Sequence, residues 1–406
     1  MDLGCEGDFW VHQDCINERF HPDWIKQKNL PWIKLSPTCF ETVFASDIEP
    51  RSRRAWLPYF TKRGTGAIFI EDSIVNLVKK ARNKEFTFPQ NIDLLTGGFP
   101  CQDFSVSGKR LGFNSRICHT GNIFDAEINS SRETRGMLYY WMKEAIELTL
   151  PKVFIAENVK GLVSLSKVKD KIEEDFQSLG GGGYLITSTV LFAPDYGVPQ
   201  KRERVFFIGL RKNCLQDIFI DEVNKNPHFL IQKIFPEPTH THDKNEDFLN
   251  NGLKPYSTVR AILSGLEEPT AEMSDLSQQK YSKAQYLSKG QGQIEIALDG
   301  LSPTIRSEHH GNIEYRRLIR EYGGKYEEEL NNGMEMRRLT VRECARLQTF
   351  PDDYEFVRER KSAGDNYSLS ASSAYKLIGN AVPPLLAYHI AKNLERIWNQ
   401  VFHTDC

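Results

Sequence analysis

Residues 94–113 read LLTGGFPCQDFSVSGKRLGF. The stretch begins apolar, turns on Gly97 and Gly98, and delivers Pro100-Cys101 into a small polar loop. That succession predicts a buried strand ending at the rim of an α/β sheet, where ligands of such folds sit. Outward from it, short β-rich apolar runs alternate with helical stretches. VFASD (43–47), AIFIED (67–72), IDLLTGG (92–98), KVFIAEN (152–158), YLITSTVLFA (184–193) and RVFFIGLRK (204–212) read as strands. Residues 52–60, 135–149 and 166–178 carry helical spacing. Together they predict an α/β fold with a mostly parallel sheet covered on both faces. Asp47, Glu71-Asp72, Glu157-Asn158 and the Pro-Cys loop would then share one rim.

The chain has 406 residues, 40% hydrophobic and 26% charged, with a net charge of −2. That supports a large core and one or two domains, and any polyanion site must come from local clusters. No apolar run is long enough for a membrane span, and the acidic, mixed N-terminus does not read as a signal peptide. Eight cysteines lack CxxC or other metal-ligand spacing. They predict reduced thiols in a cytoplasmic protein with no metal site. From about residue 213 to 336 the texture turns irregular, rich in Asn, Lys, Glu, Ser and Pro. RRLTVRECARLQTFPDDY (337–354) restores a helical pattern, with Thr340 and Glu343 placed as a capping box. SAYKLIGNAVPPLLAYHIAKNLERI (373–397) predicts a last helix beginning at a Pro-Pro pair. The expected division is 1–212 and 356–406 for one domain and 213–355 for a second, smaller and irregular one.

Cys101, with its backbone direction set by Pro100, is mounted as a thiolate nucleophile would be; a buried structural thiol is the alternative. Glu157 ends an apolar strand, where a carboxylate can donate a proton or hydrogen bond, or simply cap a helix. Arg202 and Arg204 share a strand face by alternation, as an anion- or carbonyl-binding pair or as a solvated edge. Arg337, Arg338, Arg342 and Arg346 read either as phosphate contacts or as a solvated helix face.

In order, these segments resemble the cytosine-C5 DNA methyltransferase family of bacterial restriction-modification systems. Gly98-Phe99-Pro100-Cys101-Gln102 resembles its nucleophile motif, Glu157-Asn158-Val159 its ENV motif, and Gln200, Arg202 and Arg204 its QxRxR motif. Residues 338–348 resemble its RxLTxRExARLQ block, and 379–383 its closing GN-V-P segment. The resemblance implies a Rossmann-like, S-adenosylmethionine-dependent sheet with a target-recognition domain. It implies catalytic roles for Cys101, Glu157, Arg202 and Arg204, acting on a cytosine flipped from double-stranded DNA. It places Asp47, Ile48, Asp72, Pro100, Leu138, Asn380 and Ala381 at the cofactor, and Gln102, Ser107, Thr304 and Arg342 at the DNA. A cognate restriction endonuclease and a monomeric enzyme are the implied partner and state.

Two features depart from the family pattern. The FxGxGG opening is absent, and residues 1–4 resemble the segment just after those glycines, so the first strand is expected to be missing. That supports a competing reading: a catalytically impaired DNA-binding fragment, or half of a split enzyme. A transfer-RNA cytosine-5 methyltransferase is a third, which the long 213–336 region disfavours. The second departure is a long loop at 114–134, read as a tolerated insertion or as extra DNA contact.

Overall fold

The computed structural model describes residues 1–20, 24–26, 30–99, 138–164, 166–180, 182–242, 252–307, 312–359 and 369–404. Six strands carry the frame: β1 (Phe44–Asp47), β2 (Ile68–Glu71), β3 (Leu94–Gly98), β4 (Val153–Val159), β5 (Tyr184–Phe192) and β6 (Glu203–Arg211). Each coincides with an expected apolar run. β1 pairs with β2 and β3 with β4 in parallel, while β6 pairs antiparallel with both β4 and β5. The sheet is therefore mixed where a mostly parallel one was expected. Residues 193–202 between β5 and β6 hold only a one-turn 3-10 segment, Ala193–Tyr196. A parallel return needs a crossover of about a dozen residues or more, so the chain comes back antiparallel.

No ladder among the described residues joins β1–β2 to the group ordered β3-β4-β6-β5. Both groups nonetheless lie between the same two cores. Phe44, Ile70, Leu95 and Phe154 face one, and Ala45, Phe69, Leu94 and Ile155 face the other. Burial differs along the layer. Val153 to Ala156 of β4 are fully buried, whereas every residue of β1 is half-buried.

Helices α1 (Asp2–Glu6), α2 (Pro50–Lys62), α3 (Ile74–Arg82), α4 (Leu138–Thr149), α5 (Ser166–Gln177), α6 (Val341–Leu347), α7 (Ala371–Asn380) and α8 (Pro384–Val401) complete the frame. Val75, Ile146, Ile172 and Phe176 bring α3, α4 and α5 against the Phe154 side. Trp56 and Phe60 of α2 and the apolar stripe of α8 cover the other side. Removing such a stripe from water contributes about 25 cal/mol per Å², which sets α8 as a main stabiliser of that face. Pro384 opens α8, where its missing N–H costs nothing. The capping box of Thr340 and Glu343 forms at α6 as expected.

Two further helices, Asp217–Lys225 and Pro227–Ile234, fall in the stretch expected to be irregular. Leu230 and Ile234 join the α8 core, and Asn393 Nδ2 donates to the carbonyls of Lys233 (3.0 Å) and Ile234 (2.9 Å). Cys5, Cys15, Cys39 and Cys344 are free thiols, but Cys214 is disulfide-bonded, contrary to the expectation of reduced thiols throughout. No helix among the described residues is long and apolar enough to cross a membrane.

Candidate active site

β4 carries Glu157 and Asn158 to the carboxyl edge of the sheet, and β3 pairs Gly98 with Glu157 there. Asn158 is buried. Its Nδ2 donates to the Phe99 carbonyl at 3.1 Å, and its Oδ1 accepts from the Val159 N–H at 2.8 Å. The first bond ties down the backbone immediately before Pro100. Pro100, Cys101, Gln102 and Ser107 themselves lie outside the described residues, as does the 114–134 insertion.

Across the β4–β6 ladder Val159 faces Arg204, so Arg204 lies diagonal to Glu157 on one face. Its Nε meets Glu157 Oε1 at 3.0 Å, with the two side chains 14% and 12% exposed. Glu157 Oε2 is turned toward β3: a Cβ added at Gly98 would come within 3.4 Å of it. One carboxylate oxygen is thus anchored to a guanidinium, and the other overlooks the strand end that leads to Cys101. A carboxylate held this way has its direction set before any ligand arrives.

Arg202, for which the resemblance implies a catalytic role, behaves differently. It is fully buried, and donates through Nη1 to the Ile305 carbonyl (3.2 Å) and through Nη2 to those of Gly379 (2.9 Å) and Ala381 (2.7 Å). β6 begins at Glu203, so the two-residue alternation that predicted a shared face with Arg204 does not reach Arg202. Gln200 completes the clamp. Its Nε2 donates to Gln348 Oε1 at 2.6 Å, and its Oε1 accepts from the Ile305 N–H at 3.1 Å. Gln348 Nε2 in turn donates to the carbonyls of Ile378 (3.0 Å) and Ala381 (2.8 Å). Four segments distant in sequence are locked behind the rim by three polar side chains. Gly379 is required there, because a Cβ would overlap the Arg306 backbone.

The arginines read as phosphate contacts or as a solvated face are engaged inside the fold. Arg342 is 2% exposed; it grips Asp275 through Nε (2.8 Å) and Nη2 (3.2 Å) and reaches the Tyr354 carbonyl at 3.2 Å. Arg337 holds Glu343 by two bonds (2.8 and 2.9 Å), and Arg346 holds Asp352 by two (2.9 and 2.5 Å). A guanidinium has five N–H donors, enough to saturate a loop's acceptors inside the fold and leave no charge on display. Thr304, expected at the DNA, directs its hydroxyl to the Lys201 carbonyl. Sequence reasoning named Gln200 and Gln348 only as letters of motifs. Nothing in their spacing could show that they meet.

Asp47 and Asp72 close the two other strands. Asp47 Oδ1 accepts from the Glu49 N–H at 2.9 Å, and Ile48 beside it is 48% exposed. Asp72 takes bonds from Ser73 N (2.8 Å), Asn76 Nδ2 (2.8 Å) and Lys80 Nζ (2.7 Å). Burial pushes its carboxyl up, but these donors outweigh it and hold the acid below its ordinary range. Leu138 opens α4 in the core beside Phe99, Asn380 ends α7 exposed, and Ala381 is half-buried.

Residues 26–396 match the C-5 cytosine-specific DNA methylases. The chain belongs to that family. Among its relatives are the type II methyltransferases M.BspRI of Lysinibacillus sphaericus and M.NgoFVII of Neisseria gonorrhoeae. M.BspRI is 31% identical over 87% of this chain and 70% of its own length. M.NgoFVII is 29% identical over 88% of this chain and 82% of its own. In fold the methylase is similar to a solved DNA modification methyltransferase encoded in an Escherichia coli prophage. That likeness has a TM-score of 0.50 at 19% identity, and covers 89% of this chain and 94% of the other. Family and fold imply S-adenosylmethionine as the methylase's methyl donor. The β1–β2 rim has chemistry that fits that group: Asp47 ends β1, the exposed Ile48 follows it, and Asp72 follows the paired strand β2.

Proposed function

We propose that the chain is a sequence-specific DNA cytosine-5 methyltransferase whose reaction centre is Cys101 with Glu157 and Arg204. The observation that carries this is the half-open Glu157–Arg204 pair, set across Gly98 from the strand end that Asn158 ties down. The target ring is unreachable while stacked, so the base must leave the duplex first. Cys101 Sγ, as thiolate, then adds to carbon 6, and the electron pair of the 5,6 double bond moves to carbon 5. Glu157, in its protonated form, donates from the oxygen that Arg204 leaves free to the ring nitrogen and accepts from the exocyclic amine, offsetting the negative charge the thiolate brings as carbon 5 becomes nucleophilic. S-adenosylmethionine, when bound, supplies the electrophilic methyl group. Loss of the carbon-5 proton restores the double bond and expels the thiolate. Asp47, Ile48, Asp72, Pro100, Leu138, Asn380 and Ala381 would hold the donor, and Gln102 and Ser107 would face the DNA from the Cys101 loop.

Residues 1–212 and 356–406 form the catalytic domain in this proposal, with 213–355 as the recognition region. The names of its type II relatives support a place beside a cognate restriction endonuclease, and one copy suffices for the chemistry in the cytoplasm. The test pairs S-adenosylmethionine calorimetry with methylation of plasmid DNA. Donor binding, and methyl transfer lost in Cys101→Ser, support the reading. DNA binding without donor binding would instead support the competing reading of a catalytically impaired DNA-binding protein.

A further inference from the structure

We infer that the ion pair of Glu49 with Lys376 is a strap across the donor site, and that both are positioning residues that hold Asp47 ready for S-adenosylmethionine. This rests on the proposed donor site and adds what keeps its two walls together. One wall is the turn from β1 into α2, with Asp47 and Ile48; the other is the end of α7, with Asn380 and Ala381. Glu49 Oε2 accepts from Lys376 Nζ at 3.2 Å, joining residues 327 positions apart in the chain.

Glu49 stands at the N-cap of α2, where a side chain ordinarily accepts from the first N–H groups of its own helix. It makes no such bond. Its two oxygens go elsewhere, Oε2 to Lys376 and Oε1 to Arg51 Nε at 3.4 Å. Its backbone N–H meanwhile donates to Asp47 Oδ1 at 2.9 Å. Among the described residues Asp47 Oδ2 takes no hydrogen bond. One oxygen of that acid is therefore fixed by the turn, and the other is left for a ligand.

The α7 side of the strap is the rigid one. Lys376 lies one helical turn before Gly379 and Asn380, on their face of the helix. Arg202 holds the Gly379 carbonyl at 2.9 Å and the Ala381 carbonyl at 2.7 Å. Tyr375, next to Lys376, is fully buried and donates to the Leu339 carbonyl at 2.6 Å. The turn is the compliant side, with Ile48 turned largely to solvent. With side chains 27% and 43% exposed, the Glu49–Lys376 pair adds little to global stability. What it sets is the direction of the Glu49 N–H and, through it, of the Asp47 carboxylate. A site ordered in advance gives up less conformational freedom when its ligand arrives.

The test is S-adenosylmethionine calorimetry on Glu49→Ala, Lys376→Met and the double variant, with urea unfolding of each. Each single variant should weaken donor binding about two- to fivefold, the range of a half-exposed ion pair. The double variant should be no weaker than either single one, because both remove the same bond. Lys376→Arg keeps the cation and should restore wild-type affinity. In methylation assays KM for the donor should rise by the same factor while kcat at saturating donor holds, and salt at about 1 M should erase the difference. Urea midpoints should stay with wild type, whereas a merely structural pair would move them together with the affinity. Wild-type donor affinity in both single variants, or losses that multiply in the double one, would overturn the strap alone. A wild-type chain that takes up no donor would overturn the donor site itself, and the strap with it.

Discussion

The rim at the end of β4 and the seam around α6 are built from the same ion pair, a carboxylate facing a guanidinium, with opposite outcomes. At the rim, Arg204 anchors one oxygen of Glu157 and the other is turned over Gly98, the smallest residue available. At the seam, Arg337, Arg342 and Arg346 each give two bonds to one carboxylate and sink nearly out of solvent. The difference lies in which valences remain unsatisfied. A pair with a free valence in a half-buried place can bind and polarise; a saturated pair can only hold. Arg202 and Arg204 show this within one motif, since a single residue separates a buried clamp from a rim group.

Four measurements would break or sharpen that contrast. The largest effect is expected at the rim. Glu157→Gln should lower the methylation rate about 10²–10³-fold, some ~3–4 kcal/mol of barrier, while DNA binding and the denaturant midpoint hold. A rate within threefold of wild type would remove Glu157 from the chemistry. Next, Arg202→Ala leaves the Ile305 and Gly379 carbonyls without their donor, while Ala381 keeps Gln348, and should cost about 3 kcal/mol of stability; Arg202→Lys should not rescue it, since one ammonium cannot reproduce the guanidinium fork across these acceptors. Urea unfolding reads both, and a wild-type midpoint in Arg202→Ala would erase the distinction from Arg204.

Smaller still, Arg342→Ala should cost about 1–3 kcal/mol of stability, because Asp275 retains some access to water. The salt slope of DNA binding should stay as in wild type, and a flattened slope would return Arg342 to the phosphates. The smallest effect concerns Glu268. Burial pushes its carboxyl up, but hydrogen bonds from Arg317 and Arg337 outweigh this and bring it down to about 2 from an ordinary 4.5. With the folded value below the unfolded one, its contribution is complete above about pH 4.5 and is lost as pH falls toward 2. Thermal melts of Glu268→Gln should therefore show a shallower decline than wild type in that window.

Much of this could be read from local pattern. The strand runs, the Thr340–Glu343 capping box and the Pro384 helix start are written in periodicity and in short-range hydrogen-bond chemistry. Glu157 was legible because it ends an apolar strand. The readings that failed did so for want of distance information. Alternation put Arg202 beside Arg204, and helical clustering read four arginines as phosphate contacts or as a solvated face; both rules count residues along the chain and cannot see a carbonyl from a segment a hundred positions away. The Asp217–Lys225 and Pro227–Ile234 helices were missed for a related reason. The polar texture of the whole 213–336 stretch hid these two short segments, whose buried residues Phe219, Leu230 and Ile234 join the core that α8 also lines.

By itself, then, the sequence determined the six strands, the order of the motifs and which residues bear reactive groups, since strand formation, capping and side-chain chemistry are set within a few residues. Tertiary structure decided which of those groups stay available. The β5–β6 return made the sheet mixed, and the meeting of residues 200–202, 305, 348 and 378–381 buried Arg202 and its amide partners. It also left the two strand groups in one layer without a shared ladder among the described residues. Whether a guanidinium binds a ligand or braces a loop depends on how many acceptors the fold brings within about 3 Å of it, and that number is a property of the packed chain.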